Sequence, residues 1–378
     1  MYNKETQAVH SGTQFDEKTQ GTNTPIYTST AIGYLDSELT YPRYFNTKNQ
    51  LAVAAKIAAL ENAETGMVFS SGMAAITSTL LTFLKAGDHI IFQKGLYGGT
   101  FNWCNSELQK FGIKFTIAEG NSSADFEKAL QTNTKIIYIE TPSNPLLKIT
   151  DIEATAKFAQ TNKLISVIDN TFASPVNQNP IDFSIGLVIH SATKYLGGHS
   201  DICAGAVVGS KNLISQIIPT ALNFGGSLDA QTCYLLERSI KTLFVRVNQQ
   251  NKNAQQIAEF LTVHPKIKNV FYPGLKSSPE HKIAKKQMKG FGGMLSFELK
   301  TGNIINFQKN LKLIKPAVSL GGVDTIINAP TLTSHRHVPD KEKQKEGITD
   351  KILRLSVGIE NVEDLIEDLE KALNNCKK

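Results

Sequence analysis

The sequence predicts an α/β fold: a mostly parallel sheet with helices on both faces, a smaller α+β domain after it and an extended arm before it. Three observations carry this expectation. Short apolar runs bounded by turn-formers, Leu164–Ile168 and Leu187–Ile189 foremost, read as buried parallel strands. Reactive side chains stand where those runs end, Asp169 after the first and Ser191-Ala192-Thr193-Lys194 after the second, with Gly197-Gly198 and His199 just beyond. That is the edge where open α/β sheets bind ligands. Finally, 378 residues exceed a typical single core. Residues 1–55 are expected to form the arm, 56–255 the large domain and 256–378 the small one.

Composition narrows the function classes. With 41% hydrophobic and 20% charged residues, the chain is ordinary for a soluble globular enzyme. Its net charge of +6 comes from 40 basic and 34 acidic residues spread without a dense basic stripe, which argues against nucleic acid as a partner. Cys104, Cys203, Cys233 and Cys376 show no CxxC spacing and no disulfide framework, so a reducing compartment, the cytoplasm, is the expected location. The start MYNKETQAVHSGTQ carries no apolar signal core, and no run approaches the roughly 18 apolar residues of a membrane span. Lys377-Lys378 reads as a solvated end.

Along the chain, residues 1–50 are polar with little helical periodicity. They read either as a disordered tail or, given Tyr41, Tyr44 and Phe45, as an ordered arm. LAVAAKIAAL at 51–60 is helical by propensity. Met67-Val68-Phe69 reads as a strand leading into Ser70-Ser71-Gly72-Met73-Ala74-Ala75 and an apolar helix, expected to end with Gly87 as its C-cap. Strand, small-residue turn and helix N-terminus together offer N–H groups and a positive dipole end to a phosphate; a tight turn needing glycine for packing is the other reading. Ile90–Gln93 and Lys135–Ile139 are further strands, followed by loops carrying Tyr97 and Asn144. A loop tyrosine can simply pack, and Asn-Pro can simply turn. Helical sequence from Leu235 to Val263 is broken by His264-Pro265. Val270–Leu275 opens the small domain, and Gly292–Leu299 reads as a strand with alternation. Val362, Leu365, Ile366, Leu369, Ala372 and Leu373 make an amphipathic helix with Asn361 as N-cap.

The residues after the two central strands suit an electron-sink cofactor. Lys194 would form a Schiff base, Asp169 would pair with a pyridinium nitrogen, and the hydroxyls of Ser191 and Thr193 would hold a phosphate. A lone lysine after a strand is usually solvated; here an acid, two hydroxyls and two glycines accompany it. A nicotinamide dehydrogenase would need GxGxxG after a strand, and no such run occurs. A non-catalytic protein of this fold would be expected to lose the lysine. His335-Arg336-His337 could suggest a metal, but neighbours in an extended segment point apart and no carboxylate or cysteine stands nearby in sequence, so no metal is expected.

The segments IDNTFASP (168–175) and HSATKYLGGHSD (190–201) resemble the pyridoxal phosphate (PLP) enzymes of cysteine and methionine metabolism: cystathionine γ-synthase, the cystathionine γ- and β-lyases, methionine γ-lyase and the O-acylhomoserine sulfhydrylases. Matching segments run from Tyr41 to Glu360. The resemblance implies a fold type I PLP-dependent transferase with pyridoxal 5'-phosphate as cofactor, with Ser71, Gly72 and Met73 at its phosphate. It implies a homotetramer built from dimers with shared active sites, Tyr41 and Arg43 touching the cofactor phosphate of the neighbouring subunit. Asn46 is followed by Thr47-Lys48 where the family carries Pro-Thr. Tyr97 would lie over the pyridine ring and serve as an acid or base. Asn144 would hydrogen-bond the ring hydroxyl oxygen.

Arg354, flanked by apolar residues, needs an anion for its fork. An internal salt bridge would serve, and the resemblance implies a grip on the substrate α-carboxylate. It also places Ser319 on the substrate side and His335 in packing near the site. Val318 stands where enzymes handling cystathionine often carry Glu, and Gly99 where methionine γ-lyases typically carry Cys. The expected reaction is γ-elimination from cystathionine, methionine or a related amino acid, then γ-replacement, then β-elimination.

Overall fold

Adjacent residues of a strand point to opposite sides of a sheet, so a strand buried on both faces must be apolar at every position. The central strands obey this over residues 136–139, 167–168 and 187–189, which are buried throughout. The computed structural model describes residues 2–36, 38–336 and 338–376; His337, Lys377 and Lys378 lie outside the described residues. The main sheet contains β1 (Thr65–Phe69), β2 (His89–Phe92), β3 (Lys114–Ile117), β4 (Thr134–Glu140), β5 (Ile165–Asp169), β6 (Leu187–His190) and β7 (Gly205–Gly209). Their order is β1-β7-β6-β5-β4-β2-β3. Pairing from β6 through β5, β4 and β2 to β3 is parallel. β7 alone runs against both of its neighbours.

Two cores sandwich this sheet. On one side Ile136, Tyr138, Val167 and Ile189 pack with Ile76 and Leu80 of the helix Gly72–Phe83 and with Ile214 and Ile217 of the helix Lys211–Phe224. On the other, Ile137, Ile139, Ile168 and Val188 pack with Val53 and Ile57 of the helix Lys48–Glu61 and with Ile152 and Ala156 of the helix Ile152–Thr161. Burying one such aliphatic side chain is worth about 1.5–3 kcal/mol. The expected mostly parallel, doubly covered sheet is the one observed.

Local expectations fared unevenly. The helix after β1 stops at Phe83, and Leu84 is extended. Gly87 is therefore not its C-cap: with φ at +91° it serves the turn into β2, where the Asp88 carboxylate accepts the Lys85 N–H at 3.0 Å. The arm holds an unforeseen helix, Lys4–His10. It is stabilised from outside, since buried Lys56 donates through Nζ to Ala8 O at 3.2 Å, Val9 O at 3.1 Å and Thr13 Oγ1 at 3.2 Å. Carbonyls at a helix C-terminus welcome a cation.

The second sheet contains β8 (Ile267–Phe271), β9 (Met294–Leu299), β10 (Lys315–Pro316), β11 (Ile326–Asn328) and β12 (Ile352–Ser356) in the order β10-β11-β12-β9-β8. β9 is buried at every position rather than on alternate ones. It lies between β12 and β8, and its Ser296 Oγ reaches across to Pro145 O at 2.7 Å. The closing helix Val362–Asn375 begins at Asn361, whose side chain accepts the Glu363 N–H at 2.8 Å. Positions 55/56 and 255/256 both fall inside helices, Lys48–Glu61 and Leu243–Val263.

Candidate active site

The parallel strands deliver their last residues to one edge. β4 ends at Glu140 and β5 at Asp169, paired in register, and β6 leads directly into Ser191. β1 leads into Ser71 and β2 into the loop carrying Tyr97. These segments, with β12 and the loop before β11, enclose a cavity of about 660 Å³. It is lined by Ser71, Gly72, Met73, Tyr97, Asn144, Asp169, Ser191, Thr193, Lys194, Val318, Ser319 and Arg354, among others. All the site residues expected from one chain's own large and small domains meet there. Tyr41 and Arg43 do not: Arg43 Nη1 donates to Leu222 O at 2.8 Å, and Tyr41 packs edge-on against Tyr44.

Lys194 Nζ donates to Ser319 Oγ at 2.9 Å. Burial, and secondarily the positive field of Arg354, lower its pKa from 10.5 to about 8. An amine so placed is poised as a nucleophile and base. Ser319 bridges two cations, because its carbonyl also accepts from Arg354 Nη2 at 3.1 Å. It does so with φ at +86°, a conformation that costs a non-glycine residue and persists only where surroundings enforce it.

Arg354 is buried, and its other amino group, Nη1, donates to Asn144 Oδ1 at 2.9 Å, while Nε has no partner. Among the described residues no carboxylate pairs with it. Burial pulls its pKa down to about 10. The internal salt bridge considered from sequence is absent, leaving a guanidinium in need of an anion.

The acids tell a complementary story. Asp169 accepts the Thr171 N–H at 2.9 Å, and burial raises its pKa. Glu140 accepts the Tyr97 N–H at 2.8 Å through Oε2 while Oε1 is buried without a partner. Burial first, then the neighbouring Asp169, raise the Glu140 pKa well above the usual carboxyl range. The Tyr97 hydroxyl is likewise raised, by burial and then by Glu140 and Asp169, so it stays protonated near neutrality.

At the far end, Ser71 caps the helix Gly72–Phe83 by accepting the Ala74 N–H at 3.1 Å. A Cβ on Gly72 would sit 2.8 Å from Ser191 Cβ, so the helix N-terminus and the turn after β6 touch and form one cradle. This donor set fits pyridoxal phosphate: a helix N-terminus with two hydroxyl-bearing segments for phosphate, a buried acid for the ring nitrogen and a low-pKa amine for the aldehyde.

Glu140, Asn102, Cys203 and Arg336 also line the cavity, and none of them was given a place in the site from the sequence. Only the acid at a strand's C-terminal end was a usable signal. His335 packs beside the site in a turn rather than an extended segment, and burial with Arg354 lowers its pKa to about 4.

A family model described as Cys/Met metabolism PLP-dependent enzyme matches residues 5–374. An L-methionine gamma-lyase of Fusobacterium nucleatum subsp. nucleatum is 47% identical over 326 residues, covering 84% of this chain and 82% of its own. The cystathionine gamma-lyase of Bacillus subtilis is 42% identical over 377 residues, 98% of this chain and 99% of its own. Among solved structures, cystathionine gamma-lyase from Lactobacillus plantarum complexed with L-serine superposes with a TM-score of 0.96 at 40% identity, covering 99% of both chains.

Proposed function

The chain belongs to the Cys/Met metabolism PLP-dependent enzymes, and from that premise we propose that it catalyses γ-elimination on a sulfur-containing α-amino acid. The observation that carries this reading is the pairing of Lys194 and Arg354 across Ser319 in one cavity with Asp169. Pyridoxal phosphate, once bound, supplies an aldehyde carbon that captures the substrate nitrogen and a ring that draws electrons from its α-carbon.

Each residue then has a task. Ser71, Gly72, Met73, Ser191 and Thr193 hold the phosphate, and Asp169 keeps the ring nitrogen protonated. Asn144, its Oδ1 engaged by Arg354, would offer its amide nitrogen to the bound cofactor. Tyr97 would help hold the cofactor in the cavity and keep a protonated hydroxyl available there. Arg354 fixes the α-carboxylate, and Lys194 Nζ moves a proton between Cα and Cβ. The Cγ–S bond breaks with departure of a thiol; water then completes release of a 2-oxo acid and ammonia. Val318, exposed and apolar at the cavity, suits a thioether tail.

The test is direct. Protein reconstituted with pyridoxal phosphate should be yellow, should lose the colour on borohydride reduction, and should release thiol, 2-oxo acid and ammonia from methionine or cystathionine. No visible band would remove the enzyme reading, whereas a thioether formed with added thiol, without ammonia, would turn elimination into replacement.

The arm supports a shared site. Ile32, Tyr34, Leu35 and Leu39 are exposed beside Tyr41, more apolar surface than a lone arm sustains in water. On this reading Tyr41 and Arg43 reach the phosphate of a second copy, within a homotetramer of dimers. Arg43→Ala should weaken cofactor retention, and mixing it with Lys194→Ala should regain part of the activity, since one site per hybrid dimer is then intact. Absence of recovery in verified hybrids would sink the shared site. Cysteine usage without a disulfide framework supports a cytoplasmic setting.

A further inference from the structure

Five charged side chains among the described residues line the cavity: Glu140, Asp169, Lys194, Arg354 and Arg336. Four have a partner or a task already. Glu140 holds the Tyr97 N–H and Asp169 the Thr171 N–H; Lys194 and Arg354 share Ser319. Arg336 stands apart. Its side chain makes no hydrogen bond or ion pair among the described residues, and it is exposed at the cavity wall.

Its backbone is nevertheless held. The Arg336 N–H donates to Thr333 O at 3.2 Å and the His335 N–H to Pro330 O at 2.8 Å, with His335 buried. A Cβ on Gly98 would lie 1.9 Å from Ser334 O, so this segment rests on the loop carrying Tyr97 with no room for a side chain between them. The other outer residues of the cavity, Asn102, Val318, Leu332, Thr333 and Ser334, are neutral. Among the described residues, the outer wall therefore carries one cation and no acid to quench it. A guanidinium in that position favours a planar anion such as a carboxylate. The phosphate and the α-carboxylate are bound elsewhere under the function proposed above, on which this step rests.

We propose that Arg336 binds a second carboxylate at the far end of the substrate's side chain, so that the preferred substrates are amino acids whose γ-substituent ends in an anion. The acids among the described lining residues, Glu140 and Asp169, stand at strand ends and hold the Tyr97 and Thr171 N–H groups, so the negative group is what Arg336 reads.

The test uses holoenzyme and two unreactive amino acids with one carbon skeleton, L-norleucine ending in methyl and L-2-aminoadipate ending in carboxylate. Calorimetric titration should show wild type preferring L-2-aminoadipate by about tenfold or more, the scale of one charged hydrogen bond. Arg336→Ala should erase that preference and leave norleucine affinity unchanged, which also certifies the fold; Arg336→Lys should restore part of it. Equal affinities in wild type, or a preference that survives Arg336→Ala, would overturn the assignment while leaving the proposed function intact. If cofactor-loaded wild type binds neither amino acid, the amino-acid reading of the cavity falls, and the subsite with it.

Discussion

Lys194→Ala yields a folded protein whose turnover falls by about a thousandfold or more. Under the proposed function the amine both holds the cofactor and moves the proton, and Ser319, its hydrogen-bond partner, cannot replace it at any pH near neutrality. Folding should not suffer. The Lys194 pKa in the folded chain, about 8, lies below its ordinary 10.5, so the unfolded chain binds the proton more tightly. The stability cost of that lysine is fully present below about pH 8 and disappears as pH rises through 10.5. The cofactor-free variant should thus melt no earlier than its parent at neutral pH. In the parent, the neutral amine becomes the major form as pH passes about 8, so cofactor capture should accelerate with pH up to that point. Rates of 2-oxo acid release, melting curves and the mass of the borohydride-reduced chain check all three. Near-normal turnover, or a cofactor mass still attached in the variant, would remove Lys194 from the mechanism.

Much of this site was legible because its signals are local. Asp169 and Lys194 follow apolar runs, and the rule that crevices lie at strand C-termini needs no tertiary information. The missed strand β7 has no such contrast: Gly205-Ala206-Val207-Val208-Gly209 is short, small and glycine-bounded, and its pairing with β1 and β6 fixes it. The helix Lys4–His10 was invisible for a similar reason, since the buried ammonium that caps it comes from Lys56. Gly87 shows the converse error. A glycine after an apolar helix invites a C-cap reading, yet Asp88, which captures the Lys85 N–H, had already claimed that turn. Arg354 could be recognised as needing an anion, but not which one. Its partners stand 210 residues away at Asn144 and 35 away at Ser319, and neither is charged.

That environment makes Arg354→Ala the second large effect. A guanidinium buried against an amide oxygen and a carbonyl, with Nε unpartnered, carries an uncompensated charge that the fold alone gains little from. Under the proposed function, a carboxylate arriving with the substrate would supply the missing anion and two charge-assisted hydrogen bonds. Losing them should raise KM by about a hundredfold, from roughly 1.5–3 kcal/mol per charged hydrogen bond, with a smaller change in kcat. Arg354→Lys should recover little, because a point ammonium cannot span Asn144, Ser319 and a carboxylate together. The discriminating measurement compares an α-amino acid with its decarboxylated amine. Wild type should favour the acid strongly, and Arg354→Ala should treat the two nearly alike while melting close to its parent. An unchanged KM accompanied by a sharp loss of thermal stability would mean that the guanidinium braces β12 against the loop at Asn144, and that the substrate carboxylate is held by another group.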